Sequence, residues 1–297
     1  LPFLKAYGAT NDILRRLSAE DIMLVKGAKD TLSLVGKHMP SFIVSTSYEH
    51  YIKSLCKLTG FPEGHAYCTE LDIDRFKMPD WESEKLRSWT RELVKFSPPE
   101  IPPSANSVSD LSREDRKTLA FLDEIFWKEM PGMIVGDILR EVRPIGGMEK
   151  VESVRDIVNK QSISAAQVIY FGDSITDSEP LKYVRNNEGV AVSFNGNEYA
   201  VREAELAVLS DHTLVIGVFA LVFNKDGIDA VRNLATNWRH ENLLQTINSE
   251  LGAKIQDVYG SKLPQVEIVT ESNMKRLIEE SCSFRKKVRG ETVGSLG

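Results

Sequence analysis

The chain is predicted to fold as an α/β protein around a doubly wound parallel sheet, and three observations predict it. Short, near-continuous apolar runs alternate with segments of helical period, as buried parallel strands alternate with crossover helices. Two of these runs, "FIVSTS" (42–47) and "VIYFGD" (168–173), end abruptly in hydroxyl or acidic residues, where open α/β sheets bind ligands. At 297 residues, 42% apolar and 27% charged, the chain is long enough for a core domain with a second unit inserted or appended.

Taken in order, residues 11–37 read as helices. In the second, "GAKDTLSLVGKHM", Ala28, Leu32 and Val35 recur at helical spacing, and Pro40 stops it. "SFIVSTS" follows as a buried strand and "YEHYIKSLCKL" as a helix. From 71 the character changes to acids, aromatics and charges, and the Pro- and Ser-rich "SPPEIPPSANSVSD" (97–110) reads as a loop or hinge. Ser112 with Asp115 reads as an N-cap for "REDRKTLAFLDEIFWKEM". Alternation then resumes: "GGMEKVESVRDIVNK" as helix, "AQVIYFGD" as strand, "SEPLKYVRN" as helix and "GVAVSF" as strand. Beyond 213 the chain reads as mostly helix, with starts near Asp226, Glu241 and Ser272. The expected organisation is a core from 1–70 and 145–212, a helical insertion at 71–144 and a helical C-terminal extension at 213–297.

Composition narrows the function. A formal net charge of −6 gives no overall positive field to attract nucleic acid, although one or two local cations suffice for a small phosphate. The longest apolar run, "TLVIGVFALVF" (213–223), is well short of the roughly 20 residues that span a bilayer, so it is expected as a buried helix with no membrane insertion. Cys56, Cys68 and Cys282 are far apart and lack C-x-x-C spacing. They suit small buried apolar residues in a reduced, cytoplasmic protein, and the start lacks a secretory signal.

The chemistry concentrates in "FGDSITD" (171–177). A serine esterase of the GDSL type would use Ser174 as nucleophile, with a histidine base and an acid three residues before it. Downstream of Ser174 lie only His212 and His240, preceded at that distance by Leu209 and Asn237, so Ser174 reads better as a turn hydroxyl. A phosphoryl-transfer site asks instead for carboxylates, a metal, a hydroxyl or amide donor and a lysine. Asp173 and Asp177, four apart at a strand end, can offer oxygens to Mg²⁺. Ser45 and the amide of Thr46 can donate to phosphoryl oxygens, and Lys150 can hold another. Each has a plainer role alone: Ser45 as a helix-capping hydroxyl, Lys150 as a surface lysine, Asp177 as a capping acid.

Together these stretches resemble the haloacid dehalogenase-like (HAD) superfamily, in particular its phosphoserine-phosphatase-like branch. "LVKGAKDTLSLVGKHMPSFIVSTSYEHYI" is similar to the approach to the second motif, with Ser45 in its serine/threonine position. "GGMEKVESVRDIV" is similar to the third-motif lysine region around Lys150, and "VIYFGDSITDSEPLKYVRNNEGVAVSFNGN" to the fourth motif with Asp173 and Asp177. The resemblance implies a Rossmann-like core, with residues 71–144 as a cap that closes over and selects the substrate. It also implies a Mg²⁺-dependent phosphatase of a small phosphorylated metabolite, working through an aspartyl-phosphate, with Asp173 and Asp177 as metal residues. The first motif, a strand ending D-x-D that carries the nucleophile, is expected ahead of Leu1. The one D-x-D present, Asp72-Ile73-Asp74, follows the second motif and a stretch, "AYCTEL", that is not a convincing buried strand, and it reads as a polar loop or strand end. The alternative is a non-catalytic phosphate-binding member whose C-terminal helices dock onto a protein partner.

Overall fold

The computed structural model describes residues 1–20, 22–102 and 105–290. In chain order the elements are α1 (Pro2–Ala6), α2 (Asn11–Glu20), α3 (Ala28–Gly36), β1 (Ile43–Tyr48), α4 (Glu49–Thr59), β2 (Ala66–Thr69), α5 (Asp80–Leu93), α6 (Arg113–Asp123) and α7 (Asp137–Glu141). There follow α8 (Met148–Gln161), β3 (Ile169–Gly172), α9 (Ser178–Asn186), β4 (Val190–Phe194), α10 (Glu198–Glu203), β5 (Leu206–Leu209) and α11 (Leu214–Thr236). The chain ends with α12 (His240–Thr246), α13 (Ser249–Tyr259), β6 (Gln265–Ile268) and α14 (Met274–Arg289).

The described residues form two compact units, one within Leu1–Asp21, Glu49–Tyr51 and Thr69–Arg143, the other within Ile22–Tyr48, Ile52–Cys68 and Pro144–Gly297. The start of the chain thus joins the 71–144 insertion, where the sequence reading assigned it to the core. Hydrogen bonding explains this: Ser83 Oγ and Arg87 Nε donate to the Ala6 carbonyl at 3.1 and 2.9 Å, and Lys5 Nζ to that of Ile73 at 3.0 Å. The first unit is helical, around Phe76, Leu86, Trp89, Ile125, Met130 and Ile138. Glu82 is fully buried there, which a carboxylate tolerates only with partners. It accepts the amides of Ile134 and Val135 at 2.6 and 2.9 Å. The expected cap on α6 is present, with Ser112 Oγ accepting the Asp115 amide at 3.0 Å.

The second unit is mixed α/β. Strands β3, β4 and β5 pair in parallel, β6 closes the sheet antiparallel to β5, and β1 and β2 form a separate two-stranded sheet. Because side chains alternate across a strand, the sheet has two packed faces. Val190 and Val192 of β4 pack with Val215, Val218 and Phe219 of α11, while Ala191 packs with Leu181 of α9. Residue by residue β5 is buried throughout, as suits a continuous apolar strand between helix layers. The 213–223 run is the buried first half of α11. Gly227, at φ 78°, breaks that helix one residue past the predicted start at Asp226, a conformation glycine adopts without penalty.

Two expectations need amending. The extension after 213 is not purely helical, because β6 extends the sheet and α14 packs Leu277 against Val201 and Ala207. Likewise "AYCT" is a short strand, β2, for which the sequence offered no convincing buried strand. Among the described residues no helix is long and apolar enough to cross a membrane.

Candidate functional site

The carboxyl ends of β1 and β3 meet the start of α8. Thr46, in β1, donates its hydroxyl to that of Thr176 at 3.4 Å. The Gly147 amide, just before α8, donates to the Thr176 carbonyl at 3.1 Å. Residues more than 100 apart in sequence therefore share one corner of the second unit.

At its centre lies a buried ion pair. Lys150 Nζ sits 2.8 Å from Asp177 Oδ1, and both side chains are only 6% exposed. Tyr170 donates its hydroxyl to the same oxygen at 2.8 Å. Asp177 Oδ2 accepts the amides of Asp173 and Ser174 at 3.1 and 3.2 Å and the Ser174 hydroxyl at 3.0 Å. Burial alone would push the Asp177 carboxyl up, but the Lys150 charge and these donors hold it below its ordinary value of 3.8. Burial, and then the Asp177 charge, push the Tyr170 hydroxyl far up, so it stays protonated and donates.

The backbone makes this geometry compulsory. Ser174 and Asp177 form a reciprocal capping box around the turn that leads into α9. A Cβ at Gly172 would stand 2.6 Å from Asp177 Cβ, so glycine is required where β3 enters the turn.

Asp173 has different company. Its carboxylate is paired with Arg285, 3% exposed, and with Arg289 at 2.6 Å, both from α14. Arg285 also donates to the Asp173 carbonyl at 2.7 Å.

Of the predicted residues, Lys150, Asp173, Asp177 and Thr46 fall in this corner, each with protein partners. Asp177 is a structural acceptor and counter-ion, both its oxygens committed. Ser45, in β1, accepts the Ser47 amide at 3.1 Å through its hydroxyl oxygen. Ser174 bonds Asp177 and Thr176, with no histidine among its hydrogen-bond partners. Asp72 and Asp74, in the first unit, are anchors for the start of α2. Asp72 Oδ1 accepts Asn11 Nδ2 at 2.7 Å, and Asp74 accepts the Asn11 amide.

Sequence reasoning missed Tyr170, Arg285 and Arg289. A signal for the arginines exists: Leu277, Ser281 and Arg285 recur every four residues as the buried stripe of α14, continued by Arg289. A polar ending to an inward stripe marks an inward-facing charge.

Mg²⁺ needs several oxygen ligands with free lone pairs. In this arrangement Asp177 has spent its oxygens on five donors and Asp173 faces two guanidinium groups, so the pair does not fit a divalent ion as arranged. No group of three or more His, Cys, Asp or Glu among the described residues is placed to hold a metal.

No protein-family model matches the chain. No curated protein matches it either. Among solved structures it is similar to that of gene product AF1437 from Archaeoglobus fulgidus, at a TM-score of 0.75 and 22% identity, over 100% of this chain and 80% of that one. At that identity the likeness concerns the fold alone.

Proposed function

We propose that the protein is a phosphohydrolase of a small phosphorylated metabolite, with a Rossmann-like core of the haloacid dehalogenase type. The observation that carries this reading is the convergence of Thr46, Lys150 and the 173–177 turn at the carboxyl ends of β1 and β3. Phosphoryl transfer relies mostly on positioned donors and cations, and this corner supplies both. In this reading the Lys150 ammonium, oriented by Asp177, holds one phosphoryl oxygen, and the Ser45 hydroxyl and the Thr46 amide hold others. The attacking carboxylate is expected from residues ahead of Leu1. Mg²⁺ belongs to this reading only if Asp173 exchanges its two arginine partners for it.

One observation favours a second reading, non-catalytic phosphate binding. Lys150, Arg285 and Arg289 set three cations against the carboxylates of Asp173 and Asp177, so the corner carries a net positive charge suited to an anion.

The test is phosphate release from a generic aryl phosphate by the polypeptide together with its encoded upstream residues, with Mg²⁺ or with EDTA. Turnover is expected, and Lys150→Met should lower kcat/KM by roughly 100-fold. Turnover indifferent to Lys150→Met overturns the phosphatase. Absence of turnover, with calorimetric phosphate binding that Lys150→Met abolishes, establishes the second reading instead.

A further inference from the structure

Helix α14 ends in a run of cations. Arg285, Lys286, Lys287 and Arg289 fall within its last five residues, in a chain whose formal net charge is −6. The helix is fixed so that two of them meet Asp173. Leu277 packs against Val201 and Ala207, and Ser281, next on the buried stripe, donates its hydroxyl to the Gly196 carbonyl at 2.6 Å. Arg285 follows, donating to the Asp173 and Asn195 carbonyls at 2.7 and 3.4 Å and pairing with the Asp173 carboxylate. The loop that α14 grips is tied to the same residue, since the Asn197 amide donates to the Asp173 carbonyl at 2.9 Å.

The two arginines differ in freedom. Arg285 is buried, whereas Arg289, at the end of the helix, keeps 34% of its side chain exposed while it holds Asp173 at 2.6 Å. A guanidinium carries five donors in a planar fork, so the part of Arg289 turned to solvent can take a second oxyanion. Of the three cations paired with Asp173 and Asp177, Lys150 and Arg285 are buried and Arg289 is the most accessible. Two cations on the Asp173 carboxylate also leave one positive charge uncancelled. A divalent ion would have to take that carboxylate for itself, and Arg285 would then stand buried without its counter-ion, a strongly unfavourable state.

We propose that the α14 arginines take the electrostatic part of a divalent metal in this corner, which binds the phosphoryl group of a phosphate monoester without one. Arg285 neutralises Asp173, and Arg289 reaches the phosphoryl oxygens. The proposal rests on reading the corner as a phosphate site, and it adds that the charge of that site comes from the C-terminal helix. A bare Asp173 carboxylate would repel an arriving dianion, and the arginine pair removes that repulsion. A guanidinium also meets two phosphoryl oxygens with parallel N–H···O bonds, where a lysine offers only a point charge. Lys286 and Lys287, both exposed, strengthen the local positive field without being needed for contact.

Calorimetric titration of the protein with phenylphosphonate, a monoester mimic that is not hydrolysed, tests this, with inorganic phosphate alongside. The dissociation constant should be the same in EDTA as in millimolar Mg²⁺. Arg289→Gln should raise it about 10-fold and Arg289→Lys by less, with the urea midpoint unchanged, and the side-chain N–H resonance of Arg289 should shift as ligand is added. Asp173→Asn decides between cations by sign: with arginines in that part, losing the carboxylate charge should tighten binding, whereas a metal held by Asp173 would be lost with it. Binding that requires Mg²⁺, that is indifferent to Arg289→Gln, or that weakens in Asp173→Asn overturns the proposal while leaving the corner a phosphate site. Binding of inorganic phosphate without phenylphosphonate overturns the monoester assignment. Binding of neither ligand overturns both the proposal and the phosphate reading beneath it. Metal-free binding that depends on Arg289, without turnover of an aryl phosphate, upholds the arginine pair and removes only the catalytic reading.

Discussion

Two pairs of strands in the second unit are built from similar letters and end in different states. Strands β4 and β5, "VAVSF" and "LAVL", have a partner on both edges and a helix layer on each face, and nearly every residue is buried. Strands β1 and β3, "IVSTSY" and "IYFG", are as apolar at their starts but have one strand partner each among the described residues and remain largely half-exposed. The difference teaches that apolar sequence secures burial only where the edge is also paired. It also teaches that the candidate site sits at the ends of the less buried strands.

Matched substitutions break or sharpen this contrast. Phe219→Ala, packed with β4, should cost about 3–5 kcal/mol in urea unfolding, because Phe219 is fully buried. Phe171→Ala, on the half-buried β3, should cost less than half as much. Equal costs would erase the distinction.

The corner joining β1 and β3 should nonetheless be rigid. Lys150→Met leaves Asp177 buried without its counter-ion and should cost about 3 kcal/mol or more, whereas replacing both residues with apolar ones should recover much of it. The pH dependence follows from the sign of the shift. Since the folded Asp177 carboxyl lies below its ordinary value of 3.8, its contribution is present above that pH and is lost as pH falls through the lower folded value. Acid titration of stability should therefore be flatter below about pH 4 in Asp177→Asn. An unchanged acid slope would show that Asp177 carries no such stabilisation.

Gly172→Ala should cost about 1–3 kcal/mol by driving a methyl into Asp177, although Gly172 ends the half-buried β3. A neutral Gly172→Ala would mean that the turn relaxes freely. The smallest effect belongs outside the sheet: Ser112→Ala removes a solvent-exposed cap on α6 and should cost about 1 kcal/mol with no change in amide hydrogen exchange at β1 or β3.

Much of this was legible. Helical period and breaker residues located α3, α4, α8 and α9, and "SEPLKYVRN" coincides with α9 residue for residue. Local chemistry also placed the Ser112 cap and the break near Asp226. At the site, the sequence singled out Lys150, Asp173 and Asp177 as neighbours-to-be, but it assigned the carboxylates to a metal. Whether an aspartate meets a cation, a tyrosine or an arginine depends on which faces of distant elements come together, and no local pattern encodes that.

By itself, then, the sequence determined what is governed within a few residues: periods, caps, the glycine at 172 and the apolar strands that require two covered faces. Tertiary structure alone decided which edges pair and which charges meet. It sent residues 1–20 to the insertion, laid β6 antiparallel on β5, and brought Arg285 onto Asp173 across 112 positions. The physical reason is that strand pairing and buried ion pairs are satisfied by partners from anywhere in the chain. Only the packed fold selects among them.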